Sequence, residues 1–216
     1  MIKISRVVVG HLETNCWVVS NDAGDIAVID PGDDTDAICD VVDALDAPRK
    51  NVGAVILTHG HFDHVGSADE VADDNGSFIY MSDAEFNFLQ GEQGTGGREF
   101  GLETPIPIVD FKVKDGDTIE VGALSFKVIL TPGHTPGCMS LLLRDDVDEQ
   151  KYYLFSGDTL FAQSIGRTDL PGGDESKMTQ SLERLDTLPE NVDVFPGHGT
   201  TTNLKDERVL NQFWPD

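Results

Sequence analysis

Short runs of β-branched and aromatic residues, separated by turn formers, dominate the first part of the chain. Ile2 to Val9, Cys16 to Ser20 and Ile26 to Ile29 read as strands of a meander ending at the Asp30-Pro31-Gly32 turn. Between Asp34 and Leu45 the period changes: Ile38, Val41, Val42 and Leu45 fall on one helical face, with an aspartate or threonine ahead of them as N-cap. A strand at Ala54 to Leu57, a helix near Ser67 to Asp74 and a strand at Phe78 to Met81 continue the alternation. Residues 90–101 hold five glycines and little apolar periodicity, so they read as a loop, either linker or lid. Strands resume around Ile106 to Val113, then at Thr118 to Val121, Leu124 to Leu130, Met139 to Leu143 and Tyr152 to Phe155. A helix from about Ser176 to Leu188 precedes a last strand and helix. No repeat or low-complexity tract interrupts the 216 residues, a length that suits one domain over 1–216.

One pattern recurs four times: an apolar strand runs into a tight turn that carries a metal-type ligand. Val55-Ile56-Leu57-Thr58-His59-Gly60-His61-Phe62-Asp63-His64 packs three imidazoles and a carboxylate into six positions after a strand. Neutral imidazole and carboxylate suit borderline divalent cations such as zinc, and ligands so closely spaced can face one or two ions. A surface histidine cluster without metal is the competing reading. The turns around Pro132-Gly133-His134-Thr135-Pro136-Gly137 and Pro196-Gly197-His198-Gly199 each bracket one histidine with residues that reverse the chain. Alone, either histidine reads more readily as a structural hydrogen-bonder, and only the company of the other turns reverses that. The fourth turn, Ser156-Gly157-Asp158-Thr159, offers a carboxylate, which alone could simply cap the next segment. Two divalent ions about 3.5 to 4 Å apart repel strongly, and a carboxylate between them offsets that repulsion. Five of the six histidines lie in these turns, leaving His11, read as structural. Asp30 and Thr58 sit where they could orient ligands from behind, since metal-bound imidazoles donate their other N–H, although turn formation also accounts for Asp30-Pro31-Gly32.

Composition narrows the classes. With 39 acidic against 15 basic residues the net charge is −24, and acids such as Asp33, Asp34, Asp73, Asp74, Asp145 and Asp146 recur throughout. Nucleic acid and anionic membranes are repelled by such a chain, and a solvated acidic surface is the simplest account of it. Cys16, Cys39 and Cys138 are odd in number and form no CxxC pair, which fits a reducing cytosol. Met1 to Arg6 lacks the apolar core of a signal peptide and no run is long enough to span a bilayer, so a cytoplasmic protein is expected.

The order and spacing of the ligand turns resemble the metallo-β-lactamase superfamily, specifically its single-domain glyoxalase-II-like hydrolases. The resemblance covers nearly the whole chain and extends to Gly166-Arg167-Thr168-Asp169-Leu170-Pro171-Gly172-Gly173 and to Asp206-Glu207 after His198. It implies an α/β fold, a four-layer αββα sandwich of two mixed sheets flanked by helices, with metals at one rim. It puts His59, His61 and His134 on one divalent ion and Asp63, His64 and His198 on the other, with Asp158 bridging. The ions would be zinc, with iron or manganese as alternatives, and Asp63 and Asp158 would be the catalytic carboxylates.

The resemblance further implies hydrolysis of a small-molecule thioester of the hydroxyacylglutathione type by a metal-bound hydroxide. A thiolate leaves readily without a protein acid, and no GxSxG nucleophile elbow is present. Larger members carry a basic C-terminal helical extension that holds glutathione, whereas this chain ends at Phe213-Trp214-Pro215-Asp216. Arg167 could hold a substrate carboxylate or serve as a structural ion-pair partner. Two other readings compete: a mononuclear-iron persulfide dioxygenase of the same superfamily, using His59, His134 and Asp158, and a noncatalytic metal-binding module. Pro196-Gly197-His198-Gly199 looks more like the hydrolases. Nucleases of the superfamily are disfavoured by the charge, and β-lactamases by the cytosolic character. The oligomeric state is not legible.

Overall fold

In the computed structural model, residues 1–45, 52–145, 147–148 and 150–215 are described, the side chain of Glu99 excepted; Asp146 and Asp216 lie outside them. The opening meander forms as its pattern requires. β1 (Lys3–Val9) keeps one edge exposed, whereas β2 (Thr14–Ser20) and β3 (Ile26–Ile29) are buried on both faces, which explains their near-continuous apolar sequence. They are followed by α1 (Thr35–Ala44), β4 (Val52–Ile56), α2 (Phe62–Val65), α3 (Ala68–Asn75), β5 (Phe78–Ser82), α4 (Asp83–Leu89) and β6 (Phe111–Val113). The six strands make one sheet in sequence order, antiparallel from β1 to β3 and parallel from β3 to β6.

The second half contains β7 (Thr118–Val121), β8 (Leu124–Leu130), β9 (Met139–Arg144), β10 (Tyr152–Gly157), β11 (Leu160–Phe161), β12 (Ser164–Ile165), α5 (Glu175–Asp186), β13 (Val192–Pro196), β14 (Thr202–Asn203) and α6 (Leu204–Leu210). Its sheet has the order β14-β13-β10-β9-β8-β7, with β10 and β13 parallel and the other pairs antiparallel. β11 and β12 pair as a separate hairpin.

Three apolar interfaces bind four layers. Trp17, Ile29 and Ile56 of the first sheet meet Phe126, Leu141 and Phe155 of the second. Ile38 and Val42 of α1 and Val71 of α3 cover the outer face of the first sheet at Val28 and Val55. Leu182 and Leu185 of α5 and Leu204 of α6 cover Leu154, Val192 and Val194 of the second. Each fully buried side chain of this kind stabilises the fold by about 1.5–3 kcal/mol. The expected αββα sandwich of two mixed sheets is the observed fold. Among the described residues no helix is long and apolar enough to cross a membrane.

Several local expectations change. The strand expected over Ile106 to Val113 is paired only at Phe111–Val113, because Pro105 and Pro107 leave the preceding stretch short of ladder donors. α4 and the β11–β12 hairpin were not foreseen. Asp34 occupies the N-cap position of α1 but makes no side-chain cap; its backbone is left-handed (φ 53°) and its carboxylate accepts from Gly10 N at 2.9 Å instead. Within 90–101 a 3-10 turn forms at Gly97–Phe100, and Phe62 N donates to Thr95 O at 2.9 Å, tying this loop to α2.

Candidate metal centre

Parallel pairing of β3 with β4 brings Asp30 and the His59–His64 turn to the same rim of the first sheet, and parallel pairing of β10 with β13 does the same for Asp158 and His198 in the second. Backbone hydrogen bonds stitch the two rims together. Met139 N donates to Thr58 O at 2.9 Å and Asn15 N to Gly197 O at 2.7 Å, while Gly197 N, donating to Gly157 O at 2.9 Å, ties together the two ligand-bearing strand ends of the second sheet. A Cβ at Gly197 would collide with the Asp158 carboxylate and the His64 ring, so glycine lets this backbone approach the centre.

All seven candidate ligands converge there. His134 Nε2 lies 2.9 Å from His61 Nδ1 and 3.6 Å from Asp158 Oδ2. His59 completes this group, its ring centroid 4.8 Å from that of His61 and 5.0 Å from that of His134. On the other side His64 Nε2 lies 3.3 Å from His198 Nε2 and 3.5 Å from Asp63 Oδ2, and His198 Nε2 lies 3.2 Å from Asp63 Oδ2. Asp158 stands between the groups, Oδ1 3.4 Å from His64 Nε2 and Oδ2 3.6 Å from His198 Nε2. His11, by contrast, is exposed in the turn between β1 and β2.

These spacings fit cation coordination. Tetrahedral bonds of about 2.0–2.1 Å put neighbouring ligand atoms roughly 3.3 Å apart. Two atoms add independent support: His59 Nε2 and Asp158 Oδ1 are buried without any hydrogen-bond partner. Such orphaned polar atoms cost about 1–3 kcal/mol each unless something fills the gap. A third grouping of Asp30 with His59 and His64 is also close in space. There the Asp30 carboxylate faces His64 Nδ1 at 3.0 Å, on the side of the ring away from His198.

The electrostatics of the cluster are set by burial and by the charges packed together there. Burial drives the His59 imidazole well below its ordinary value, and His64, His61 and His134 push it further. Burial, then His134, brings His61 down to about 4. Burial alone would also lower His64, but Asp158, Asp63 and Asp30 outweigh it and raise this ring to about 10. His198 is raised as well, its burial outweighed by Asp63 and Asp158. For Asp63 burial pushes upward, yet His64, His198 and the Thr14 hydroxyl hold it well below the usual carboxylate range.

The outward-facing nitrogens are held from behind. Thr58 Oγ1 lies 3.2 Å from His59 Nδ1, while Thr58 N and Oγ1 donate to the two Asp30 oxygens at 2.7 and 2.6 Å. His134 Nδ1 faces Arg167 O at 2.7 Å, and His198 Nδ1 faces Leu12 O at 3.1 Å. Thr14 Oγ1 donates to Asp63 Oδ2 at 2.9 Å. Sequence reasoning missed Glu85. Buried on α4, it accepts from Gly60 N (2.9 Å), Gly137 N (2.9 Å) and Thr135 Oγ1 (2.7 Å), thereby joining the His59 and His134 turns. Ser82-Asp83-Ala84-Glu85 has the form of a capping box, a signal that could have revealed α4.

The centre opens into a cavity of about 450 Å³ walled by Leu12, Phe62, Phe88, Phe100, Leu170 and Pro171. Arg167 also lines it, with Nε and an Nη forked onto Asp169 at 2.7 and 2.8 Å.

An αββα sandwich with imidazoles and carboxylates gathered at one rim defines a protein built to bind metal. The chain belongs to the metallo-beta-lactamase superfamily, whose family model matches residues 9–198. It is 31% identical to hydroxyacylglutathione hydrolase GloC of Haemophilus influenzae over 98% of each chain. Among solved structures it is similar to the B3 metallo-beta-lactamase BLEG-1 (TM-score 0.85, 33% identity, 99% of each chain). It is also similar to TTHA1623 in a di-iron-bound form (TM-score 0.80, 31% identity, 97% of this chain and 99% of that one).

Proposed function

We propose that this protein is a metallo-hydrolase with a binuclear centre, acting on a thioester of the hydroxyacylglutathione type. The observation that carries this reading is the pair of orphaned buried atoms, His59 Nε2 and Asp158 Oδ1, within a cluster of seven ligand-type side chains. His59, His61 and His134 would hold one divalent ion, Asp63, His64 and His198 a second, and Asp158 would lie between them. Bound there, the ions would polarise a carbonyl and bring the pKa of water towards neutrality.

The chain's own groups do the rest. Asp63, held well below the usual carboxylate range by His64, His198 and Thr14, stays ionised across the neutral range, and Thr14 Oγ1 orients it by donating to Oδ2. Phe62, Phe88 and Phe100 form an apolar wall that limits water around the scissile bond. Arg167 at the same cavity is the residue we assign to a substrate carboxylate, with Asp169 holding its guanidinium in place. A departing thiolate needs no proton from the protein, consistent with a site whose imidazoles all face the ligand cluster. Similarity to hydroxyacylglutathione hydrolase GloC supports this substrate class.

The test pairs metal analysis of purified protein with three assays. Two metals per chain and thiol release from lactoylglutathione are expected. One iron per chain with oxygen uptake on glutathione persulfide would overturn the reading. Ring opening of a chromogenic β-lactam without thiol release would move the substrate to the class that BLEG-1 is named for.

A further inference from the structure

Beside the metal-facing cavity lies a second one of about 530 Å³. The two share a wall made of Glu92, Gln93, Gly94, Thr95 and Arg98, all from the glycine-rich loop. That wall is fixed in place. Thr95 O accepts from Phe62 N at 2.9 Å, Thr95 Oγ1 donates to Thr104 O at 2.9 Å, and Gln93 Nε2 donates to Phe88 O at 2.6 Å. Leu102 N closes the loop onto Gly97 O at 3.0 Å, and the Phe100 ring packs on Phe62 with centroids 5.1 Å apart. The backbone on both sides of Arg98 is therefore positioned before any ligand arrives.

The Arg98 side chain is exposed and makes no hydrogen bond or ion pair with any described residue, while its backbone carbonyl accepts from Gly101 N at 3.1 Å. Other described arginines are engaged: Arg184 pairs with Asp115 at 2.7 Å, Arg208 with Asp186 at 2.8 Å, and Arg167 with Asp169 at 2.7 Å. An uncommitted guanidinium at a cavity junction is unusual in a chain of net charge −24, where 39 acids compete for 15 cations. Its planar fork matches a carboxylate, and Glu92 on the same wall disfavours additional negative charge.

We propose that Arg98 is a specificity-determining residue that receives a carboxylate from the part of the substrate remote from the scissile bond, where that part crosses from the metal-facing cavity into the second one. This rests on the thioester reading above and adds to it the residue that reads the carboxylate-bearing thiol portion of the substrate. The chain then holds an acidic thiol carrier with its own glycine-rich loop.

The test measures binding of S-methylglutathione, an uncleavable thioether diacid, and of its diethyl ester to metal-loaded wild-type protein, Arg98→Met, Arg98→Lys and Glu92→Gln. Wild-type protein is expected to prefer the diacid about tenfold, the scale of one charge-assisted hydrogen-bonded pair. Arg98→Met should cut that preference severalfold and leave the part that Arg167 supplies, Arg98→Lys should recover part of the loss, and Glu92→Gln should raise the preference above that of wild type. Equal weakening of both probes in Arg98→Met, or no preference in wild-type protein, would overturn the proposal. If the preference follows Arg98 but lactoylglutathione is not hydrolysed, the subsite stands and the reaction is misassigned. If the thioester is hydrolysed and Arg98→Met leaves the preference intact, the reaction stands and the subsite fails.

Discussion

A carboxylate sealed from solvent costs several kcal/mol unless donors converge on it, and three converge on Glu85. Glu85→Gln keeps the shape but turns an NH₂ group towards one of those donors. The expected loss is about 1–3 kcal/mol in thermal or urea unfolding, with weaker retention of metal because Gly60 lies between His59 and His61. The pH dependence has a definite sign. Burial raises the Glu85 pKa, against the pull of Thr135, Gly60 and Gly137. Its contribution to stability is therefore fully present below the unfolded value near 4.3 and declines as pH rises through the folded one. The gap between wild type and Glu85→Gln should accordingly be wider at pH 5 than at pH 8, and a constant gap would contradict this. Asp30 offers a second test. Asn at that position would present an amide to His64 Nδ1 or to Thr58, and metal affinity should fall by roughly 10–100-fold, read by chelator competition. The candidate ligands were legible because strand-end turns announce themselves locally. Glu85 was not, since its partners lie 25 and 52 residues away and only folding brings them together.

Elements were legible wherever one periodicity governed them. β8 alternates buried Leu124, Phe126 and Val128 with exposed Ser125 and Lys127, and α5 buries Met178, Leu182 and Leu185. The pattern failed where two rules met on one segment. Pro105 and Pro107 forbid the ladder that the apolar run around Ile106 suggests. α4 starts directly at the end of β5, so the apolar residues of both read as a single stretch. Its N-cap is Ser82, whose Oγ accepts from Glu85 N at 3.0 Å and donates to Gly137 O at 2.6 Å. Gly137 tolerates no side chain because a Cβ would collide with the Glu85 backbone. This one hydroxyl therefore caps the helix and locks it to the turn that follows His134. Ser82→Ala should cost about 1–2 kcal/mol, at the upper end for a lost cap because it also orphans a buried carbonyl. A loss under a few tenths of a kcal/mol in denaturant unfolding would show that the junction is not tightly held.

At the scale of the whole molecule, the charge of −24 was legible in the composition, but its distribution was not. Asp33, Asp34 and Asp36 ahead of and within α1 share one surface hollow with Glu70, Asp73 and Asp74 of α3, a gathering of acids that only the packing of α1 beside α3 produces. Self-repulsion of this size opposes the compact state and acts through solvent, so mobile ions should relieve it. Raising NaCl from roughly 10 mM to 1 M shortens the screening length from about 30 Å to about 3 Å, below the spacing of most surface charges. The melting temperature should therefore climb by several degrees, most of it at the low-salt end where screening changes fastest, whereas a general salting-out effect would keep growing towards high concentration. Acidification towards the isoelectric point near 4.3 also removes charge but cannot substitute for salt. Asp63 is depressed in the fold, so the stability from its pairing is present above the unfolded value and lost as pH falls through the folded one. A melting temperature that stays flat or falls with added salt would mean that the acids are already compensated locally, and that the acidic hollow beside α1 is neutral in effect.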